Sequence, residues 1–268
     1  MILHLPNTYR AFYGTFRQLH PIQQQAVEPI LAHKDLILQS ATGSGKTEAV
    51  LAPCLERVIS SGADEAVLYI VPTRALAADM YRRFKAIITE RLGLGFAVRT
   101  GDLKLRGGGS PALLLTTPES LDVMLGSSNP DLRGFLARVR IVIIDEAHSF
   151  IHQYRGQQLV YLLQRLERRI GSIVQRIALS ATLADPEEVG RFLGCSPDTM
   201  FLSDTVSRDI VPRLVHLHHD EQELTGFLDD LYQEWEYRKI LLFANSRGRC
   251  DKTFKLLNQS RSFCGRVH

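Results

Sequence analysis

One glycine-rich segment constrains the fold of this chain more than any other part of the sequence: Ser40-Ala41-Thr42-Gly43-Ser44-Gly45-Lys46-Thr47. It follows an apolar run that predicts a strand, Asp35 to Gln39, and precedes an amphipathic stretch that predicts a helix, Thr47 to Ser60. Between a strand and a helix, such a loop can curl so that successive backbone N–H groups point inward and bind phosphate. The motif usually opens with Gly, and this chain has Ser40 there.

The chemistry of this loop predicts a nucleotide site. Lys46 offers an ammonium group to the β- and γ-phosphates, and the Thr47 hydroxyl is a candidate ligand for Mg²⁺. A glycine-rich helix cap would need neither the Gly-Lys-Thr sequence nor a preceding strand. We therefore expect ATP and Mg²⁺ as cofactors, bound by the loop residues Thr42, Gly43, Ser44, Gly45, Lys46 and Thr47.

A pair of acidic residues follows a second apolar run. Ile141 to Ile144 leads directly into Asp145-Glu146, and a strand this apolar is typical of the interior of a parallel sheet. Asp145 is expected to hold Mg²⁺ through water, and Glu146 to polarise the water that attacks the γ-phosphate. The alternative is a helix start, where acidic residues are favoured by the helix dipole. With the phosphate loop upstream, we predict Lys46, Asp145 and Glu146 as the catalytic residues.

Short apolar runs alternate with longer amphipathic stretches over the first 203 residues, which is typical of parallel β-α units. We expect an α/β fold with a doubly wound, mostly parallel sheet over residues 1–203. The further predicted strands are Val67–Val71, Phe96–Thr100, Ala112–Thr116, Val139–Ile144 and Ile177–Leu179, and the further predicted helices are Leu76–Glu90 and Gln157–Ile170.

Polar residues from Ser203 to Asp209, followed by Pro212, predict a linker over residues 204–213. A second unit is expected over residues 214–268. Its predicted strands are Leu214–His218 and Ile240–Ala244, and its predicted helices are Glu221–Tyr237 and Arg249–Gln259. Two strands and two helices are too few to form a hydrophobic core comparable to that of residues 1–203. We therefore expect this second unit to be incomplete.

Composition excludes several classes of protein. Hydrophobic residues make up 45% and charged residues 23%, which is typical of a globular protein. The apolar runs fall short of the roughly 20 residues that span a bilayer, and the amino terminus does not resemble a signal peptide, so we expect a cytoplasmic protein. The four cysteines form no Cys-x-x-Cys pair, so neither structural zinc nor an iron–sulfur cluster is expected. Lys and Arg exceed Asp and Glu by only 32 to 29, too little to indicate a polyanionic partner.

The motifs together resemble superfamily 2 helicases of the DEAD/DEAH kind, from about Leu19 to the end of the chain. The phosphate loop, Asp145-Glu146-Ala147-His148 and Ser180-Ala181-Thr182 carry the resemblance. It implies RecA-like folds for both units, and roles for His148, Ser180 and Thr182 in coupling nucleotide state to nucleic acid. It also implies that Gln23 reads adenine, since a side-chain amide can donate and accept at once. The alternative for Gln23 is a solvated first helical turn.

Polar residues also follow other predicted strands. In the helicases that this chain resembles, the matching segments bind the phosphate backbone of one nucleic-acid strand, which carries no sequence information. For Asn245 and Arg247, in the second unit, the alternative is a simple polar cap after a strand. The candidates for nucleic-acid binding are Thr73, Arg74, Gly101, Thr117, Asn245 and Arg247.

Three segments look most like the large helicase-related (Lhr) family: Val98–Asp102, Thr117–Leu121 and Tyr154–Gly156. This chain has Thr-Pro-Glu where DEAD-box RNA proteins usually have Thr-Pro-Gly, so the resemblance favours single-stranded DNA as the partner. The expected function is an ATP-dependent helicase or translocase. The alternatives are an RNA helicase and a nucleotide-gated clamp, or inactive fragment, that does not translocate. Since no later motif follows His268, we expect this chain to hydrolyse ATP poorly alone.

Overall fold

The computed structural model of this chain describes residues 3–15, 18–41, 43–62, 64–101, 111–181, 185–204, 214–216, 221–234 and 242–260. Contacts divide the chain into two units, Met1–Ser207 and Arg208–His268. The division falls inside the segment predicted as a linker, residues 204–213. Each unit is described separately below.

A sheet of seven parallel strands forms the centre of the first unit. The strands are β1 Leu36–Gln39, β2 Ala66–Ile70, β3 Phe96–Arg99, β4 Leu113–Thr116, β5 Val139–Ile144, β6 Gln175–Ser180 and β7 Met200–Ser203. Their order across the sheet is β3-β4-β2-β5-β6-β1-β7. The predicted α/β fold with a parallel sheet is confirmed; β7, at one edge, was not predicted.

The sequence of β5 explains its central position. Ile141 to Ile144 are all fully buried, and β5 pairs with β2 on one side and β6 on the other. Successive side chains point to opposite faces, so Ile141 and Ile143 join one apolar core while Val142 and Ile144 join the other. A strand buried on both faces needs this continuous run of branched apolar residues.

Helices cover both faces of the sheet. Five pack against the first core: α1 Tyr9–Tyr13, α2 Pro21–Gln25, α3 Val27–Leu31, α4 Lys46–Ser60 and α5 Arg74–Lys85. Four pack against the second: α6 Pro118–Gly126, α7 Pro130–Arg138, α8 Tyr154–Ile170 and α9 Pro186–Leu193. A π-helical segment, Ala86–Arg91, continues α5, and a 3₁₀ turn, Ala147–Ser149, follows β5.

Because the strands are parallel, all of their carboxyl ends lie at one edge of the sheet, where ligands bind in folds of this class. We call this the carboxyl edge. The glycine-rich loop follows β1 there, the acidic pair follows β5, and Ala181 follows β6. The segments that begin at Val71, Thr100 and Thr117 follow β2, β3 and β4 at the same edge.

In the second unit the described residues form two helices, α10 Glu221–Glu234 and α11 Arg247–Ser260. Residues 214–216 and 242–244 were predicted within strands but have no regular secondary structure. A strand is stable only when its backbone groups pair with a neighbour, and no such pairing occurs among the described residues of this unit. Over the whole described part of the chain, no helix is long and apolar enough to cross a membrane.

Candidate nucleotide and nucleic-acid site

Two glycines give the loop after β1 its shape. Gly43 has φ 79° and Gly45 has φ 81°, both in the left-handed region that favours glycine. A Cβ on Gly45 would also lie 2.3 Å from Nε2 of Gln23, so α2 packs directly onto the loop. The loop therefore needs glycine at position 45 both for its backbone angle and for its contact with α2.

Lys46 begins α4 and turns back into the loop. Its ammonium donates hydrogen bonds to the carbonyl oxygen of Ser40 and, at 3.3 Å, to that of Ala41. Burial lowers the pKa of Lys46, while the nearby carboxylates of Glu146 and Asp145 oppose that shift. A phosphate bound in this loop can replace the two carbonyls as the partner of the ammonium, since a phosphate oxygen is negatively charged and a carbonyl oxygen is neutral.

Asp145 is buried at the carboxyl end of β5, and both of its carboxylate oxygens accept hydrogen bonds. Oδ1 accepts from the backbone N–H of Glu146 at 2.9 Å, and Oδ2 accepts from the phenol of Tyr69 at 2.9 Å. Burial raises the pKa of Asp145, and the hydrogen bond from Tyr69 opposes that shift. The carboxylate is thus held in one orientation.

Glu146 has a strained backbone, with φ 48° and ψ 49° in the left-handed region. Such angles cost a residue other than glycine about 1–3 kcal/mol and are enriched at functional sites; His33 and His152 also have positive φ in this chain. Oε2 of Glu146 is buried and makes no hydrogen bond within the described part of the chain; the nearest basic atom is Nδ1 of His148, at 3.4 Å. This oxygen therefore has an acceptor site that a water molecule can use once the carboxylate becomes accessible from the loop.

His148 and Ser180, two of the three residues predicted to couple the sites, are in contact. Nδ1 of His148 lies 2.8 Å from Oγ of Ser180, and the backbone N–H of Ser40 donates to the carbonyl of Ser180 at 3.1 Å. The end of β6 thus touches both the acidic segment and the phosphate loop. The third residue, Thr182, and the loop residue Thr42 lie outside the described residues.

Gln23 is fully buried against the loop. Its Oε1 accepts from the backbone N–H of His20 at 3.0 Å, while its Nε2 has no partner in the described part of the chain. The solvated helical turn that was the alternative for this residue is therefore wrong. Reading adenine stays a prediction, and it requires the amide to become accessible to the base.

These residues fit a magnesium nucleotide. The loop backbone and Lys46 suit phosphate oxygens, and the Thr47 hydroxyl and Asp145 carboxylate are the hard oxygen ligands that Mg²⁺ prefers. Ser44 provides a further observation: its Oγ is buried with no hydrogen-bond partner among the described residues. Buried polar atoms of this kind are costly unless a ligand or water satisfies them.

Three other loops meet at the carboxyl edge. Arg74 is exposed and packs on Gly101, whose φ is 58° and where a Cβ would lie 2.6 Å from the guanidinium carbon. The backbone N–H of Gly101 donates to Oγ of Ser120 at 2.9 Å, and Oγ1 of Thr117 donates to the same atom at 3.2 Å. The loops after β2, β3 and β4 thus form one connected surface.

The predicted nucleic-acid contacts differ in exposure. Thr73 is exposed, and its Oγ1 caps α5 by accepting from the N–H of Leu76 at 3.2 Å. Thr117 is only 3% exposed, because its hydroxyl is turned toward Ser120. In the second unit, Asn245 and Arg247 are exposed just before and at the start of α11.

Arg155 of α8 links several of these segments and was not predicted as a site residue. Its guanidinium donates to Glu119 at 2.8 Å and to the carbonyl of Pro72 at 3.0 Å, and it lies 5.8 Å from the ring centre of Phe150. It thereby joins the loops after β2 and β4 to the segment that follows the acidic pair. In the sequence, the segment Tyr154–Gly156 supported only the resemblance to the Lhr family and predicted no role for Arg155.

Comparisons with known proteins agree with this geometry. Residues 20–189 match the sequence profile of the DEAD/DEAH box helicase family. The chain is 31% identical, over 92% of its length, to the Lhr helicase/probable uracil glycosylase of Mycolicibacterium smegmatis, and 29% identical, over 95% of its length, to the Lhr helicase/uracil glycosylase of Escherichia coli. It spans only 18% and 19% of the length of those two relatives.

A solved structure shows the same fold. The helicase Lhr of Mycobacterium smegmatis bound to ssDNA and AMP-PNP matches with a TM-score of 0.77 at 30% identity, over 94% of this chain and 35% of that one. The profile match, the loop after β1 and the Asp145-Glu146-Ala147-His148 segment after β5 lead to one conclusion. This chain belongs to the DEAD/DEAH box helicase family.

Proposed function

We propose that this chain provides the nucleotide-binding core of an ATP-dependent translocase that moves along single-stranded DNA. One observation carries the proposal: the phosphate loop and acidic pair share the carboxyl edge of a single sheet with the connected surface formed by Arg74, Gly101 and Thr117. A change of ligand at one site can therefore reach the other through rigid strands and short loops.

In the proposed ATP site, Lys46 neutralises the β- and γ-phosphates, while Thr47 and Asp145 hold the metal ion. When bound, Mg²⁺ offsets the negative charge that develops on the phosphates. Glu146 polarises the attacking water through its Oε2, which accepts no hydrogen bond within the described part of the chain. His148 and Ser180, joined at 2.8 Å, link the acidic segment to the strand next to the loop.

In the proposed nucleic-acid site, Thr73, Arg74 and Gly101 meet the phosphate backbone of one strand, and Thr117 supports that surface through Ser120. Two observations favour DNA over RNA. The sequence Thr117-Pro118-Glu119 differs from the Thr-Pro-Gly that is usual in DEAD-box RNA proteins, and the Lhr structure that this chain resembles is bound to ssDNA. A second candidate, a nucleotide-gated clamp that does not translocate, uses the same residues without turnover.

Turnover separates these candidates. We expect ATP hydrolysis by this chain to rise on addition of single-stranded DNA, and to rise less with RNA of the same sequence. Stimulation by RNA alone would make the protein an RNA helicase. Tight, nucleotide-dependent DNA binding with no added hydrolysis would favour the clamp.

Strand binding should depend on salt and not on sequence. Each neutralised phosphate on a single strand contributes a slope of about −0.7 to the logarithm of affinity against the logarithm of salt concentration. Arg74→Ala should make that slope shallower by about 0.7, the contribution of one phosphate contact, since it removes one cation from the carboxyl edge. Fluorescence anisotropy across salt concentrations measures this, with Arg82→Ala as the control, an exposed arginine further along α5. A strong preference for one sequence would indicate base readout instead.

Gly101→Ala should weaken DNA binding several-fold without changing nucleotide binding. The added Cβ strains a backbone at φ 58° and would meet the Arg74 guanidinium at 2.6 Å, displacing it. The matched control is Gly93→Ala, where φ is 66° and nothing lies within 4 Å of the added atom. Both should lose stability by about 1–2 kcal/mol, the cost of left-handed backbone for alanine. Equal DNA affinity in the two variants would contradict the proposed contact between Arg74 and the DNA backbone.

A further inference from the structure

Tyr69 is a buried tyrosine in the middle of an apolar strand. It belongs to β2, is fully buried, and donates its phenol hydrogen to Oδ2 of Asp145 at 2.9 Å. Burial is the largest cause that raises the pKa of this phenol well above its usual range, so it stays protonated and able to donate. One side chain from an adjacent strand thus contacts Asp145, one of the two residues assigned to the magnesium site.

Strand register explains this arrangement. Tyr69 pairs with Ile143 of β5, and both side chains belong to the core on the α4 side of the sheet. Asp145 follows Ile143 by two residues, so it leaves the strand on the same face. A tyrosine at position 69 is long enough to reach one level further along β5, to the carboxylate, whereas phenylalanine would fill the same space without a hydrogen bond.

We propose that Tyr69 is a positioning residue for the magnesium site: its hydroxyl fixes the orientation of the Asp145 carboxylate. This inference rests on the proposed ATPase function. Oδ1 of Asp145 is held by the N–H of Glu146 and Oδ2 by Tyr69, so the plane of the carboxylate is set at two points. An ionised carboxylate has about four acceptor sites, so others remain for the water molecules around the metal.

Tyr69→Phe should therefore weaken the response to Mg²⁺ selectively. Outer partners of metal-binding residues typically contribute about 10- to 100-fold in metal affinity. Because Asp145 keeps its bond to Glu146, we expect the lower end, about a 10-fold rise in the Mg²⁺ concentration needed for half-maximal binding of a fluorescent ATP analogue. Affinity for the analogue in EDTA should stay within about twofold, since the phosphate loop is unchanged.

Tyr13→Phe is the matched control. Tyr13 is 1% exposed, and its phenol donates to the carbonyl of Glu48 in α4 at 2.9 Å, so the substitution removes the same atom from a buried tyrosine that does not touch Asp145. We expect no change in its Mg²⁺ response. In an Asp145→Asn background, Tyr69→Phe should add no further loss of that response, because the two residues act through one contact.

An unchanged Mg²⁺ response in Tyr69→Phe would overturn the inference and leave the proposed ATP site intact. Equal losses of affinity in Mg²⁺ and in EDTA would also overturn it, because they would indicate a general role in shaping the loop. A parent chain that binds the analogue in neither condition would overturn the proposed function and this inference together.

Discussion

Glu146→Gln should leave Mg-ATP binding intact and reduce single-turnover hydrolysis about 10²- to 10⁴-fold, the usual contribution of a general base. The amide keeps the shape of the side chain but cannot accept a proton from the attacking water. The effect is expected at this residue because its Oε2 is buried without a hydrogen-bond partner in the described part of the chain and its backbone is held in a strained conformation. Quenched-flow measurement with saturating single-stranded DNA gives the rate.

Glu187→Gln is the control for this substitution. Glu187 is an exposed residue in the first turn of α9, where it pairs with Arg191 at 3.5 Å. Its loss should not alter hydrolysis. If Glu146→Gln hydrolysed ATP at the parent rate, Glu146 would not be the catalytic base and another group would have to polarise the water.

Lys46→Ala should weaken binding of Mg-ATP by about 10- to 100-fold. The reason is the loss of a charge-assisted hydrogen bond to phosphate, which is worth about 1.5–3 kcal/mol. In the structure the ammonium already donates to the loop carbonyls of Ser40 and Ala41, and the charges of the acidic pair act to raise its pKa. Fluorescence titration with an ATP analogue measures the change in affinity.

Lys34→Ala provides the comparison, since Lys34 is an exposed lysine just before β1, at the opposite end of that strand from the loop. It should bind the analogue like the parent. If the Lys46 and Lys34 variants bound the ATP analogue with equal affinity, the assignment of the phosphate loop to the nucleotide site would be wrong.

Most of the sheet could be predicted because its signal is local. Strands such as Ile141 to Ile144 carry continuous branched apolar residues, and the helices between them carry a regular apolar stripe. β7 was missed because it is a short edge strand, Met200–Ser203, that is mostly exposed and is fixed by its pairing with β1. The predicted helix Leu76–Glu90 is present as α5 followed by the π-helical segment. The change from α-helical to π-helical hydrogen bonding was missed because side-chain periodicity does not indicate it.

The second unit was predicted less well. Residues 242–244 have the composition of a strand, yet they have no regular secondary structure, and Phe243 is 85% exposed. Composition indicates that a segment can be a strand, but only a neighbouring strand makes it one. The helix predicted at Arg249–Gln259 is present, with slightly wider bounds, as α11.

The candidate site could be predicted where one segment supplies it. The phosphate loop is one continuous segment and the acidic pair is another, so the spacing of residues within each segment was enough to predict it. The contacts of Tyr69 and Arg155 could not be predicted, because they depend on which strands are neighbours and on how far each side chain reaches. The left-handed backbone of Glu146 also has no sequence signal, since it is set by the turn that leaves β5.

The most direct test of the ATP site is a calorimetric titration of this chain with Mg-ATP and, separately, with AMP. Lys46 and the loop are placed to bind the phosphates beyond the first, so Mg-ATP should bind at least about tenfold more tightly than AMP, a difference of about 1.4 kcal/mol. Equal affinities, or no binding of Mg-ATP, would contradict the assignment of this carboxyl edge as an ATP site.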